Sequence, residues 1–147
     1  MKVTMLLADS AQAVGGKLYI LGGGWSITGP GPVPSAIALK IEVPRDLAAR
    51  RHNLVLELLN ADGQPVTVPT PPDGAQQPIR MEGQFETGIP TGLIPGTPID
   101  AVLALNILPL PLPPGARYTW QLSIDGDTRE EWQVSFSTRP EPQPPQR

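Results

Sequence analysis

Four sets of residues have the types that chemistry needs. They are His52 beside Arg50 and Arg51, the run Gly22-Gly23-Gly24, the acidic residues Asp125, Asp127 and Glu130 with Asp62 in another turn, and the carboxylate pairs Glu82/Glu86 and Glu130/Glu131. His52 is the only histidine and the chain has no cysteine. That removes disulfides, thiolate metal sites and any centre built on two imidazoles. A single histidine can still serve a nucleophilic serine, but no Gly-x-Ser-x-Gly elbow occurs. His52 is expected as a surface cap near a short helical turn. The three glycines offer amides to a phosphate, yet a P-loop ends in Gly-Lys-Ser/Thr and opens a helix. Here Trp25 and a strand follow, so a bulge or a close backbone approach is expected instead.

The carboxylates fare no better. Calcium takes six to eight oxygens from convergent loops, whereas Asp125-Gly126 is the commonest short hairpin signal and aspartates in turns cap nearby backbone. Glu130 and Glu131 are adjacent on a strand and point to opposite faces. Glu82 and Glu86 share a face but lie about 13 Å apart, beyond the roughly 6.5–9.5 Å of an inverting glycosidase pair. No cofactor, metal or catalytic residue is expected, and the chain is not expected to be an enzyme.

The elements that position these residues read as short strands. Lys2–Ala8 and Lys17–Leu21 flank a Gly15-Gly16 turn, with Leu18 and Ile20 on one face and Tyr19 and Leu21 on the other. Ser35–Val43 alternates cleanly, with Ile37, Leu39, Ile41 and Val43 to one side. Pro44–Arg50 fits one or two helical turns. Asn53–Leu59 presents Leu54, Leu56 and Leu58, turns at Asn60–Gly63 and returns over Gln64–Val68, before a Pro/Gly loop at 69–78. Ile79, Met81, Gly83 and Phe85 form a one-sided strand. Ile99–Ile107 is apolar on both faces and is expected in the centre of a sheet. The segment 108–114 has proline at alternate positions and cannot be an interior strand. A last hairpin carries Tyr118, Trp120, Leu122 and Ile124, the Asp125-Gly126 turn, then Trp132, Val134 and Phe136.

Composition agrees. The chain has 147 residues, 20 prolines and 15 glycines, while Leu, Ile, Val and Phe make up about a quarter of it, above the roughly one-fifth at which chains fail to collapse. Pro and Gly fall between the apolar runs, so this is a turn-rich sheet protein. The expected fold is all-β: an antiparallel sandwich, immunoglobulin-like or C2-like, of eight to ten short strands. Residues 1–138 form one domain and 139–147 a proline-rich flexible tail. Net charge of −3 and a pI near 5.0 argue against phosphate neutralisation on nucleic acid. Asp9 ends a short apolar stretch, so residues 1–13 fall short of a signal peptide, and no run suits a membrane span. A cytoplasmic location is expected.

At Gly16–Trp25, the strand Ile37–Val43, Pro113-Pro114-Gly115, Tyr118, Trp120 and Asp125-Gly126, the chain resembles a family of small bacterial proteins catalogued only as a domain of unknown function. The likeness covers most of residues 1–138. It implies a single immunoglobulin-like or C2-like sandwich and attaches no activity.

Function is therefore sought in surfaces. Leu108, Leu110 and Leu112 on a polyproline-like backbone offer an apolar strip, or fold over an open end of the sheets. Trp25 is either a core plug beside the glycines or an exposed platform for a sugar. The reading is a non-catalytic interaction or structural module, self-associating through a strand edge or the 107–114 loop, or part of a larger assembly such as a virion decoration. The alternative is a sandwich that binds carbohydrate or calcium.

Overall fold

The computed structural model describes residues 1–145, so the last two residues of the expected tail lie outside the described residues. Its elements are β1 (Lys2–Val14), β2 (Lys17–Gly23), β3 (Ile27–Thr28), β4 (Ser35–Val43), a 3-10 turn (Arg45–Leu47), β5 (Arg51–Leu59), β6 (Thr67–Thr70), β7 (Ala75–Pro78), β8 (Arg80–Glu86), β9 (Ile99–Ile107), β10 (Arg117–Ile124) and β11 (Asp127–Thr138). The protein is all-β, with 59% of the described residues in strands or bridges. One sheet runs β2-β1-β4-β9 and a second β3-β11-β10-β5-β8, with a small β6-β7 ribbon apart.

Period-two alternation builds the core. Ile37, Leu39, Ile41 and Val43 of β4, Leu54, Leu56 and Leu58 of β5, and Tyr118, Trp120, Leu122 and Ile124 of β10 are all buried and join in one cluster fed by both sheets. The β10–β11 turn puts Asp125 at φ 51° and Gly126 at φ 84°, the left-handed pair that a two-residue hairpin requires. Tyr118 then pairs with Phe136 and Trp120 with Val134.

Several expectations are corrected. Pairing is not wholly antiparallel, because β3 runs parallel to β11. The chain reaches β3 from β2 by crossing between sheets, and a crossing, unlike a tight hairpin, leaves strand direction free. The stretch expected as a Pro/Gly loop at 69–78 contains the β6-β7 ribbon, paired from Thr67↔Pro78 to Thr70↔Ala75. No residue is inserted at the glycine run: the β1–β2 register is unshifted from Val14↔Lys17 to Ala8↔Gly23. Gly22, at φ 59°, is instead a close approach, since a Cβ there would run into the Asp9 carboxylate. The large bulge lies in the last hairpin. Between Gln121↔Gln133 and Ser123↔Thr128, two steps along β10 are matched by five along β11. The extra length brings Trp132 inward beneath the Arg129 guanidinium, 5.4 Å from the ring centre.

β9 is the most instructive departure. It lies at an edge of its sheet rather than in the centre, and its two-sided apolar pattern has another cause. Ala101, Leu103, Leu105 and Ile107 join the main core and Ile99 is buried, while Ala104 on the opposite face meets a second cluster of Ala8, Ala11, Ala36 and Ala38, with Leu18 beside it. The β1–β2 ribbon curls back over the outer face of β4 and β9, and the alanines let the backbones approach. Asn106 of β9 closes the seam, donating from Nδ2 to the Ala11 carbonyl at 3.0 Å and accepting the Ala11 N–H at 3.4 Å.

This close approach leaves no room for a larger side chain. Ala36→Leu should destabilise the fold by about 1–3 kcal/mol through overpacking, read by urea denaturation. An unchanged midpoint would show that the ribbon does not press on that face.

Candidate functional site

The proline-rich segment is divided by its surroundings. Leu110 and Leu112 are half-buried and pack on the main core, whereas Leu108 is 83% exposed. The Pro113 carbonyl anchors the segment, accepting from Thr138 Oγ1 at 2.8 Å and from the Tyr118 hydroxyl at 3.5 Å. The Gly115 N–H completes the clasp on the Thr138 and Arg139 carbonyls. Trp25 is half-buried beside them, edge-on to Phe136 with centroids 6.1 Å apart at 86°. Together Trp25, Leu110, Leu112 and Val33 close one end of the two sheets over Trp120, leaving a space of about 40 Å³. Of the four candidate interaction residues, the structure brings three together as a lid and leaves Leu108 apart. Arg139, assigned by sequence to the tail, is tied in through its N–H to the Thr28 carbonyl and its guanidinium to the Gly29 carbonyl, both at 2.8 Å.

His52 is not a surface cap. It is 2% exposed, stacked on Phe85 at 5.2 Å, and both ring nitrogens are engaged. Nε2 lies 2.7 Å from the Leu47 carbonyl in the 3-10 turn, and Nδ1 lies 2.7 Å from Asp125 Oδ2. A carbonyl only accepts and a carboxylate accepts, so the imidazolium is the form that satisfies both contacts. Burial pulls the His52 pKa down, but the Asp125 and Leu47 hydrogen bonds and the carboxylate charge outweigh it, and the net shift is upward. Asp125 is held below its ordinary range by its hydrogen bonds to His52 and to the Asn53 N–H, the latter at 2.9 Å. Asp125 thus caps the start of β5 and not its own turn. Neither ring nitrogen is free to take a proton from a substrate; the pair is a joint between β5, the 3-10 turn and the last hairpin.

The remaining carboxylates lie apart. Glu82 and Glu86 are exposed along β8, with Glu82 paired to Arg80 at 2.8 Å. In the Asp62 turn it is Asn60 that caps, through Oδ1, the N–H groups of Asp62 and Gln64. Among the described residues no three His, Asp or Glu side chains converge, and no helix is long and apolar enough to cross a membrane.

One surface escaped the reading of the sequence. β2 stands at the free edge of its sheet, with Tyr19 56%, Ile20 37% and Leu21 71% exposed. The Gly15-Gly16 turn, at φ 59° and 74°, makes Val14↔Lys17 a hydrogen-bonded pair. Lys17, Tyr19 and Leu21 therefore bond to β1, while Leu18 and Ile20 aim their N–H and C=O groups outward. The alternation was visible in the sequence; that no strand lies beyond it was not.

These features define an all-β domain with a closed apolar end and one open apolar strand edge. The chain belongs to the Family of unknown function (DUF6941), whose model matches residues 3–136. No curated protein matches it significantly, and neither does any solved structure.

Two tests follow from this geometry. Leu110→Ala or Leu112→Ala should cost about 1–2 kcal/mol, less than the 2–5 of a fully buried leucine, and Leu108→Ala should stay within about 0.5, measured by chemical denaturation. Three equal values would refute the division of the strip. The His52 joint predicts a pH signature. Its raised pKa gives stability that is complete below the ordinary value of 6.5 and is lost as pH rises through the folded value. The lowered pKa of Asp125 gives stability that is complete above its ordinary 3.8 and is lost as pH falls through the folded value. The gap in Tm between wild type and His52→Gln should be widest from pH 3.8 to 6.5 and narrow on both sides. A gap constant from acid to alkaline pH would remove the ionic joint.

Proposed function

We propose that this domain is a non-catalytic interaction module whose working surface is the β2 edge, which accepts a β-strand from a protein partner. The observation that carries the reading is the chemistry of that edge: outward amide groups at Leu18 and Ile20 beside exposed Tyr19, Ile20 and Leu21. Main-chain pairing supplies affinity in such strand addition, and alternating side chains supply register. Folded proteins usually blunt a free edge with charge, proline or a bulge, and from Leu18 to Leu21 β2 has none of these. We further infer that the two sheets form a sandwich of immunoglobulin-like or C2-like kind, supported by the single core they share. The curl of β1–β2 over β9 is its departure from a flat two-layer stack.

The alternative of sugar or calcium binding has less support. Trp25 packs edge-on against Phe136, and the Asp125 carboxylate is occupied by His52 and Asn53.

Proline at an outward position of an edge strand removes a pairing donor without breaking the fold's own ladder. Ile20→Pro should therefore keep the wild-type Tm within a few degrees. It should also abolish binding to a library of seven-residue peptides with alternating apolar residues, measured by fluorescence anisotropy. Equal binding by both proteins, or none by either, would overturn the proposal.

A further inference from the structure

Resting on the reading of β2 as the working edge, we infer that the strand it accepts is β2 of a second copy, paired antiparallel about a two-fold axis at Tyr19. The four edges of the two main sheets differ sharply. β8 displays Arg80, Glu82, Gln84 and Glu86, and β3 is two residues long. β9 carries Asp100, 3.8 Å from Lys40, and faces Glu86–Pro90 across a cleft. Only β2 is long, apolar and bare, with its one charge, Lys17, at its first position.

The strand is self-complementary. A two-fold normal to the sheet requires a residue to face its own copy, because hydrogen-bonded and non-bonded pairs alternate. The regular part of β2 runs from Lys17 to Leu21, before Gly22 turns to φ 59°, and its midpoint is Tyr19. With Tyr19 on the axis, Leu18 faces Ile20 of the other copy at both outward positions, so every free amide of that stretch finds a partner. Tyr19 faces Tyr19 at a non-bonded position, where Cα atoms come to about 4.5 Å and aromatic pairs add stability. Leu21 faces Lys17, whose methylene stem covers it while the amine reaches water. The two lysines stay about 13 Å apart, four residues along the strand. An axis at Ile20 would instead demand pairing through Gly22, where the backbone departs from the strand.

The regular stretch Lys17–Leu21 is far shorter than the roughly 20–30 residues a side of a standard interface, so the dimer should form and dissociate with concentration. The absence of cysteine makes the register directly readable. Under mild oxidation Tyr19→Cys should give a covalent species of twice 15.7 kDa, since its Cα separation suits a disulfide. Ile20→Cys, two residues out of step with its copy, should cross-link several-fold less. In sedimentation the wild type should rise above 15.7 kDa with concentration while Ile20→Pro stays there. Cross-linking of Ile20→Cys equal to or above that of Tyr19→Cys would overturn the register. A wild type that is monomeric at every concentration would overturn the second copy as partner. If that monomer still bound strand peptides in an Ile20-dependent way, the edge reading would stand without this inference; if it bound none, both would fall.

Discussion

Each residue of a strand carries a backbone donor and acceptor that must find a neighbour or water, and in this protein that demand shapes nearly everything outside the apolar core. Inside the sheets it is met by ladders. At the borders it is met by particular side chains: Asn106 holds the Ala11 backbone where the curled ribbon meets β9, Asp125 holds the Asn53 N–H at the start of β5, and Thr138 serves both the Ala116 N–H and the Pro113 carbonyl. These contacts span 72 to 95 residues in the first two cases. Turns are set by local residues, but the borders are sealed by distant parts of the sequence.

The curl has a composition behind it. Ala8, Ala11, Ala36 and Ala38 are each within 2% of complete burial, and so little side chain between two layers of backbone draws them close. Larger residues would hold the β1–β2 ribbon away, and β9 would need a different cover for Ala104. A stripe of small residues on the outer faces of β1 and β4 thus decides that the four-stranded sheet bends over itself. The same bend lays β2 over β9, where Leu18 joins the alanine cluster.

Much of this was legible in the residues. Leu54, Leu56 and Leu58, or Tyr118 through Ile124 with Asp125-Gly126 behind them, announce buried faces because alternation and turn chemistry are local. Three things were not legible, each for a physical reason. The burial of His52 depends on Asp125, 73 residues away, and no spacing rule links a histidine to a turn at that distance. The edge position of β9 was hidden because a strand covered by a folded-back ribbon looks, in sequence, like one covered by flanking layers. The proline segment was ambiguous because Leu108, Leu110 and Leu112 are chemically equal and only the Pro113 clasp decides which of them turn inward. Fold class is written in local patterns, whereas the identity of the exposed surface is written in topology.

β2 and β9 make the point together. Both are apolar on two faces, and the sequence offers no way to tell them apart. In β9 the second face is accounted for by the alanine cluster and Asn106. In β2 only Leu18 is accounted for in that way, and Tyr19, Ile20 and Leu21 stay exposed and join neither cluster. Polar replacements at Tyr19 and Leu21 would cost the monomer little and would remove an aggregation hazard of the kind that edges present. β8, equally an edge, has such residues. The two edges of one molecule therefore differ in what they show to solvent, and it is on this asymmetry that the proposal of strand addition at β2 rests.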